Sequence, residues 1–217
     1  MDLRRTLLLF SFIFTGSLAI AQPKDRWTIQ DGGAIRWSIN DNIPHDDHLE
    51  MSGQQLSVVL RYGVDAQKRF HLNRSLVFPM LRMHPNKTQN NLKQRFDVNI
   101  PALVTVDDQT LLNEEVRDVT FNGIMRVESS FGYIYRRKEL KDAVQLTRVL
   151  YPSTNAAHYC EEYTFKNSSP NQITLRVPEW NVTYTTPEEA GVYGAYCIEA
   201  ALSKRGVFVL KPGETLE

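Results

Sequence analysis

The chain has little cysteine, no excess of either charge and only one long apolar run. Its two cysteines, Cys160 and Cys197, are too isolated to suggest a zinc site. Basic and acidic residues both number 25, which leaves no basic excess of the kind a nucleic-acid-binding stripe requires. Beyond the N-terminal run no segment is apolar enough to span a bilayer, so no stable membrane insertion is expected. A nucleophile elbow, a phosphate-binding loop, a dinucleotide fingerprint and a His-Glu-x-x-His run are all missing. Those absences remove the enzyme classes that a short motif would announce, and no cofactor is implied. No repeat, low-complexity tract or linker divides the chain.

What is present begins with a leader. Arg4 and Arg5 precede the run "TLLLFSFIFTGSLAI", and Ala19-Ile20-Ala21 supplies small residues for a signal peptidase. The run is shorter than the roughly 20 residues a membrane span needs. Residues 1–21 therefore read as a signal peptide cleaved before Gln22, with the product periplasmic or extracellular. Loss of Asp2, Arg4 and Arg5 leaves a formal charge close to neutral. The remainder is long enough for one domain with a sizeable core. In an oxidising compartment a Cys160–Cys197 disulfide is permitted. Both cysteines sit in strand-like runs, where a buried free thiol is the alternative.

Hydrophobic periodicity is close to two almost everywhere. Ile35, Trp37 and Ile39 alternate with polar neighbours; so do Val144, Leu146, Arg148 and Leu150, and Tyr159, Glu161, Tyr163 and Phe165. Further strand-like runs include "LSVVLRY", "HLNRSLVF", "IMRVESS", "ITLRVPEW", "NVTYTT" and "GVFVLK". The best helix opening, "TPEEAGVYGAY", contains two glycines and two tyrosines that argue against length. "FNG", "KNSSPNQ" and "KPGE" are turn clusters between strands. The pattern predicts an all-β antiparallel sandwich with little helix. After "KPGE" the sequence offers only "TLE", where a sandwich would add a covering strand, so the chain reads as the front portion of something longer.

The stretch "NIPHDDHLEMSG" concentrates His45, Asp46, Asp47, His48 and Glu50 between Pro44 and Gly53. A His-x-x-His pair can chelate zinc and the carboxylates can hold calcium, but no further ligands follow at a recognisable spacing. The commoner reading is a shaped turn or interface loop, with no metal. Sugar hydrolysis needs two carboxylates roughly 5 to 10 Å apart across a bond. Asp46/Asp47/Glu50, Glu114/Glu115/Asp118, Glu161/Glu162 and Glu188/Glu189 are candidate clusters, although adjacent strand residues such as Glu161 and Glu162 point to opposite faces. Trp27, Trp37, Tyr133, Tyr135, Trp180, Tyr184, Tyr193 and Tyr196 are candidate sugar-stacking rings. Trp37 sits mid-strand and reads as core; Trp180, after a proline and before a turn, is open between core and platform.

The segments "IPHDDHLEMSGQQLSVVLRYGVD", "LNRSLVFPMLRMHPNKTQNNLKQRF", "YTFKNSS…ITLRVPEW" and "FVLKPGE" resemble the front region of secreted bacterial six-hairpin, (α/α)6-barrel glycoside hydrolases, found especially in Bacteroidetes. The resemblance runs from about Trp27 to the end. It implies a β-sandwich of the supersandwich, galactose-mutarotase-like type that precedes a helical barrel holding the catalytic carboxylates. No catalytic residue is then carried by this stretch. The partners implied are a carbohydrate substrate and the C-terminal catalytic barrel that the sequence lacks. His45, Asp46, Asp47, His48 and Glu50 become a loop that docks on the barrel or edges its pocket, with Trp180 and Tyr184 as further sugar or docking contacts. The alternative is a stand-alone carbohydrate-binding module, with Trp180 and Tyr184 forming a ring platform.

Overall fold

A computed structural model of the protein describes residues 26–83 and 91–217. The expected signal peptide and His84 lie outside them. In chain order the strands are β1 (Thr28–Ile29), β2 (Ile35–Ser38), β3 (His45–Ser52), β4 (Ser57–Val64), β5 (Phe70–Arg82), β6 (Asn91–Phe96), β7 (Thr105–Val106), β8 (Gln109–Thr110), β9 (Leu112–Phe121), β10 (Met125–Tyr135), β11 (Lys138–Pro152), β12 (Tyr159–Asn167), β13 (Ile173–Val177), β14 (Asn181–Thr185), β15 (Cys197–Ala201), β16 (Gly206–Leu210) and β17 (Thr215–Leu216). Every pairing among them is antiparallel, and the fold is an all-β sandwich.

One long sheet, ordered β1-β2-β9-β10-β11-β12-β17, forms a whole layer. Two smaller sheets, β3-β4-β5-β6 and β16-β13-β7-β8, face it, and β14 and β15 make a separate ribbon. Period-two alternation sends one row of each long strand inward, and that row is shared between two cores. On β10, Val127 joins the first core with Leu60 and Trp37, while Phe131 and Tyr133 join the second with Leu175 and Val106. On β11, Leu150 belongs to the first core, and Val144 and Leu146 to the second. Each fully buried leucine contributes about 1.5 to 3 kcal/mol by leaving water.

Turn chemistry shapes several joints. Gly123 takes φ +95° in the turn joining β9 to β10, where the Asn-Gly pair predicts a hairpin. Asn167 is fully buried and ties the "KNSSPNQ" turn together: its amide donates to the Asn171 and Leu210 carbonyls, and its Oδ1 accepts from Ser169.

Three expectations need correction. The segment after Pro44 is strand β3, paired with β4 from His45↔Val64 to Ser52↔Ser57, and no shaped loop forms there. "FGYIY" continues β10, and Tyr133 on it is fully buried. Cys160 and Cys197 are both free thiols, so no disulfide ties β12 to β15. The sequence after "KPGE" does supply a short edge strand, with Leu216 opposite Phe165 and Thr215 opposite Lys166. "TPEEAGVYGAY" yields one 3-10 turn at Glu188–Ala190. Among the described residues no helix is long and apolar enough to cross a membrane.

Candidate functional site

Because it is a strand, β3 deals its polar residues alternately to two faces. His45 and Asp47 point inward. The His45 ring stands edge-on to Trp37 at 5.1 Å between centroids, bonds the Arg26 guanidinium and lies 3.5 Å from Asp47. Asp47 is opposite Tyr62, whose phenol is pushed up to about 12 by burial and by the Asp47 charge. Asp46, His48 and Glu50 point outward and are exposed. Asp46 Oδ1 and His71 Nε2 meet at 2.6 Å across the central strand β4, directly over Gly63. A Cβ on Gly63 would come within 2.4 Å of both side chains, so their meeting requires glycine there. The five residues expected to act together are therefore split between two faces, although Asp46, Asp47 and His48 border one shallow surface depression with His71.

A belt of buried charge, less prominent in the sequence, lies between the two cores. Arg74, from β5, is 5% exposed in an otherwise apolar inward row. Its guanidinium grips the Glu161 carboxylate through Nε and, at 2.8 Å, through Nη2, while Nη1 donates to the Val98 carbonyl at 2.9 Å. Tyr163 donates to Glu161 at 2.5 Å and accepts from Arg74 at 3.2 Å. Burial opposes the charged form of Arg74, but the Glu161 hydrogen bond and charge prevail and hold it more firmly protonated than usual. Burial and the same carboxylate push the Tyr163 and Tyr159 phenols far upward, so both stay protonated.

A second buried pair continues the belt. Arg148 bonds Glu114 at 2.7 Å, donates to the Ser129 hydroxyl at 3.0 Å and stacks over Phe70 at 5.2 Å. Arg148 lies between Leu146 and Leu150 in sequence, and so between the two cores. Its cross-strand partner on β12 is Tyr163, which links the two pairs.

Cavities open onto this belt. A cleft of about 350 Å³ is lined by Trp180, Leu76, Phe78 and Ile198, with Arg74, Tyr159 and Glu161 also on its wall. A smaller one of about 220 Å³ touches Arg74, Tyr163 and Arg148 from the side of Asn99. Over the first cleft lies the β14–β15 ribbon. Trp180 accepts a backbone bond from Leu202 at 3.0 Å, which extends the ladder by one pair. Trp180, Val182 and Tyr184 consequently share one face in a row of about 13 Å, at ~3.3 Å per residue. Ile198 and Ala200, opposite Tyr184 and Val182, complete that face. Ile198 is buried against the first core, while Val182 and Tyr184 are 40% and 41% exposed.

Trp180 and Tyr184 are thus brought onto one surface, and Trp37 is core. Cys160 lines the cleft and Cys197 is exposed on the ribbon. Of the carboxylate clusters, Glu161 is committed to Arg74 and Glu162 accepts from Tyr151 on the opposite face. Glu114 is held by Arg148, and Asp118 by Arg36 and Ser38. Among the described residues no group of three or more His, Cys, Asp or Glu side chains is placed to hold a metal ion. No protein-family model, curated protein or solved structure matches the chain.

Proposed function

We propose that the chain is a non-catalytic β-sandwich of an exported glycoside hydrolase, which scaffolds an (α/α)6 catalytic barrel and lends the Trp180 cleft to the sugar. The observation that supports this is Trp180 on the wall of a concave cleft, with Val182 and Tyr184 continuing its row on the same face of the ribbon. Ring faces and aliphatic edges at that spacing suit the C–H faces of successive pyranose units. The buried carboxylate on the wall, Glu161, already serves Arg74 and Tyr163, which commits it to holding the fold. On this reading docking falls to the outward row Asp46, His48 and Glu50, since His45 and Asp47 are turned into the sandwich.

The same row favours a second reading, a stand-alone carbohydrate-binding module. Affinity electrophoresis in gels containing plant or host polysaccharides tests the contact common to both. Retardation by at least one glycan, lost in Trp180→Ala, is expected; migration unaffected by every glycan sinks the sugar contact. The coding sequence beyond Glu217 separates the two. Several hundred residues of helical-hairpin pattern support the scaffold, and an immediate stop codon supports the module.

A further inference from the structure

One edge of the β14–β15 ribbon is open and unblunted. β14 bonds β15 alone among the described strands, and all five of its residues are exposed. The ladder fixes which backbone groups are free. Trp180 O accepts from Leu202 N at one end and Thr186 N donates to Tyr196 O at the other, so even-numbered residues face β15. By the alternation of an antiparallel pair, the N–H and C=O groups of Asn181, Thr183 and Thr185 point to the open side. Natural edges are normally blunted by charge, proline or a bulge. The edges of the β3–β6 sheet follow that rule, with Asp46, Asp47 and Glu50 on β3 and Lys93 and Arg95 on β6. The sequence of β14, Asn-Val-Thr-Tyr-Thr, contains neither charge nor proline.

We propose that β14 is a self-association edge whose partner is β14 of a second copy, running antiparallel about a two-fold axis at Thr183. The strand is complementary to itself in that register. Thr183 meets Thr183 of the second copy, and Asn181 meets Thr185, each pair exchanging both backbone bonds. On the cleft-side face Val182 meets Tyr184 twice, a β-branched and aromatic pairing that stabilises sheets, and no like charges are brought together. A two-fold contact closes on itself, so the product is a dimer with a continuous four-stranded ribbon and not a fibre. The inference does not depend on sugar binding.

Sedimentation velocity on the purified exported protein tests it. The contact is small beside a standard interface, so a reversible monomer–dimer equilibrium is expected, with the dimer fraction rising as concentration is raised toward about 1 mM. Thr183→Lys and Thr183→Glu each place like charges face to face on the axis and should raise the dissociation constant by about tenfold or more. Mixing the two variants should restore dimerisation, as heterodimer. Thr183 is exposed and lies opposite Glu199, so Thr183→Lys should keep the wild-type urea midpoint and Thr183→Glu should lower it only slightly. A wild type that stays monomeric throughout overturns the proposal. So do variants that dimerise like the wild type, or folded variants that fail to associate when mixed.

Discussion

At the scale of single residues, Arg74 and Glu161 decide most. Moving two charges out of water costs several kcal/mol per ion, and only good geometry offsets it. Here the guanidinium is bidentate on the carboxylate and a third donor reaches the Val98 carbonyl. Removing one partner strands the other. Arg74→Ala is expected to lower unfolding free energy by about 3 to 5 kcal/mol, because Glu161 keeps Tyr163 but loses its counter-charge. The double variant Arg74→Met with Glu161→Leu removes both charges at similar volume and should recover most of that loss. Urea denaturation of wild type, single and double variants reads the difference. A double variant as unstable as the single would mean that the network contributes through Tyr163 and Val98 and not through the pair.

At the scale of elements, alternation made the sandwich legible. Ile35, Trp37 and Ile39, or Val144, Leu146 and Leu150, sit where a period of two places them. The same rows also held Arg148 and Glu161, and "HLNRSLVF" held Arg74 between Leu72 and Leu76. A charge in an apolar row is the sequence signal for a buried pair, but its partner lies on a distant strand and no spacing names it. The β3 segment misled for the opposite reason. Its density of His, Asp and Glu imitates a turn, whereas strand pairing with β4 sorts those side chains by parity. The β10–β11 hairpin turn is also opaque, since Arg136 and Arg137 occupy positive φ where Asn and Gly are usual.

Parity on β3 gives a direct test. His48→Ala and Glu50→Ala, on the exposed face, should each change stability by no more than about 0.5 kcal/mol. His45→Ala removes a ring packed against Trp37 and leaves Asp47 and the Arg26 guanidinium short of a partner, so a loss of about 1 to 3 kcal/mol is expected. Thermal or urea unfolding of the three variants side by side measures it. Equal, small effects at all three positions would restore the loop reading.

At the scale of the whole molecule, the two cores hang on one sheet. The β3–β6 sheet and the β7–β8–β13–β16 sheet do not need each other for hydrogen bonds, but β10 and β11 run continuously beneath both. Those strands cannot lose one end without losing ladder bonds shared with the other, and the Arg148–Glu114 pair lies between the cores, where partial opening would expose an unpaired charge. One cooperative unit should result. The molecule carries its own reporters for this. Trp27 and Trp37 lie in or against the first core, and Trp180 lines the cleft beside its Leu76, Phe78 and Ile198. These are all the tryptophans of the chain, so indole fluorescence watches the first core alone. Leu60→Ala in the first core and Leu175→Ala in the second each delete a fully buried side chain and should cost about 2 to 5 kcal/mol. If the sheet couples the cores, Leu175→Ala lowers the urea midpoint seen by tryptophan fluorescence as much as the midpoint seen by far-ultraviolet dichroism, and the two curves coincide. A fluorescence midpoint that Leu175→Ala leaves in place, with dichroism falling in two steps, would show two independently melting halves joined by a continuous sheet.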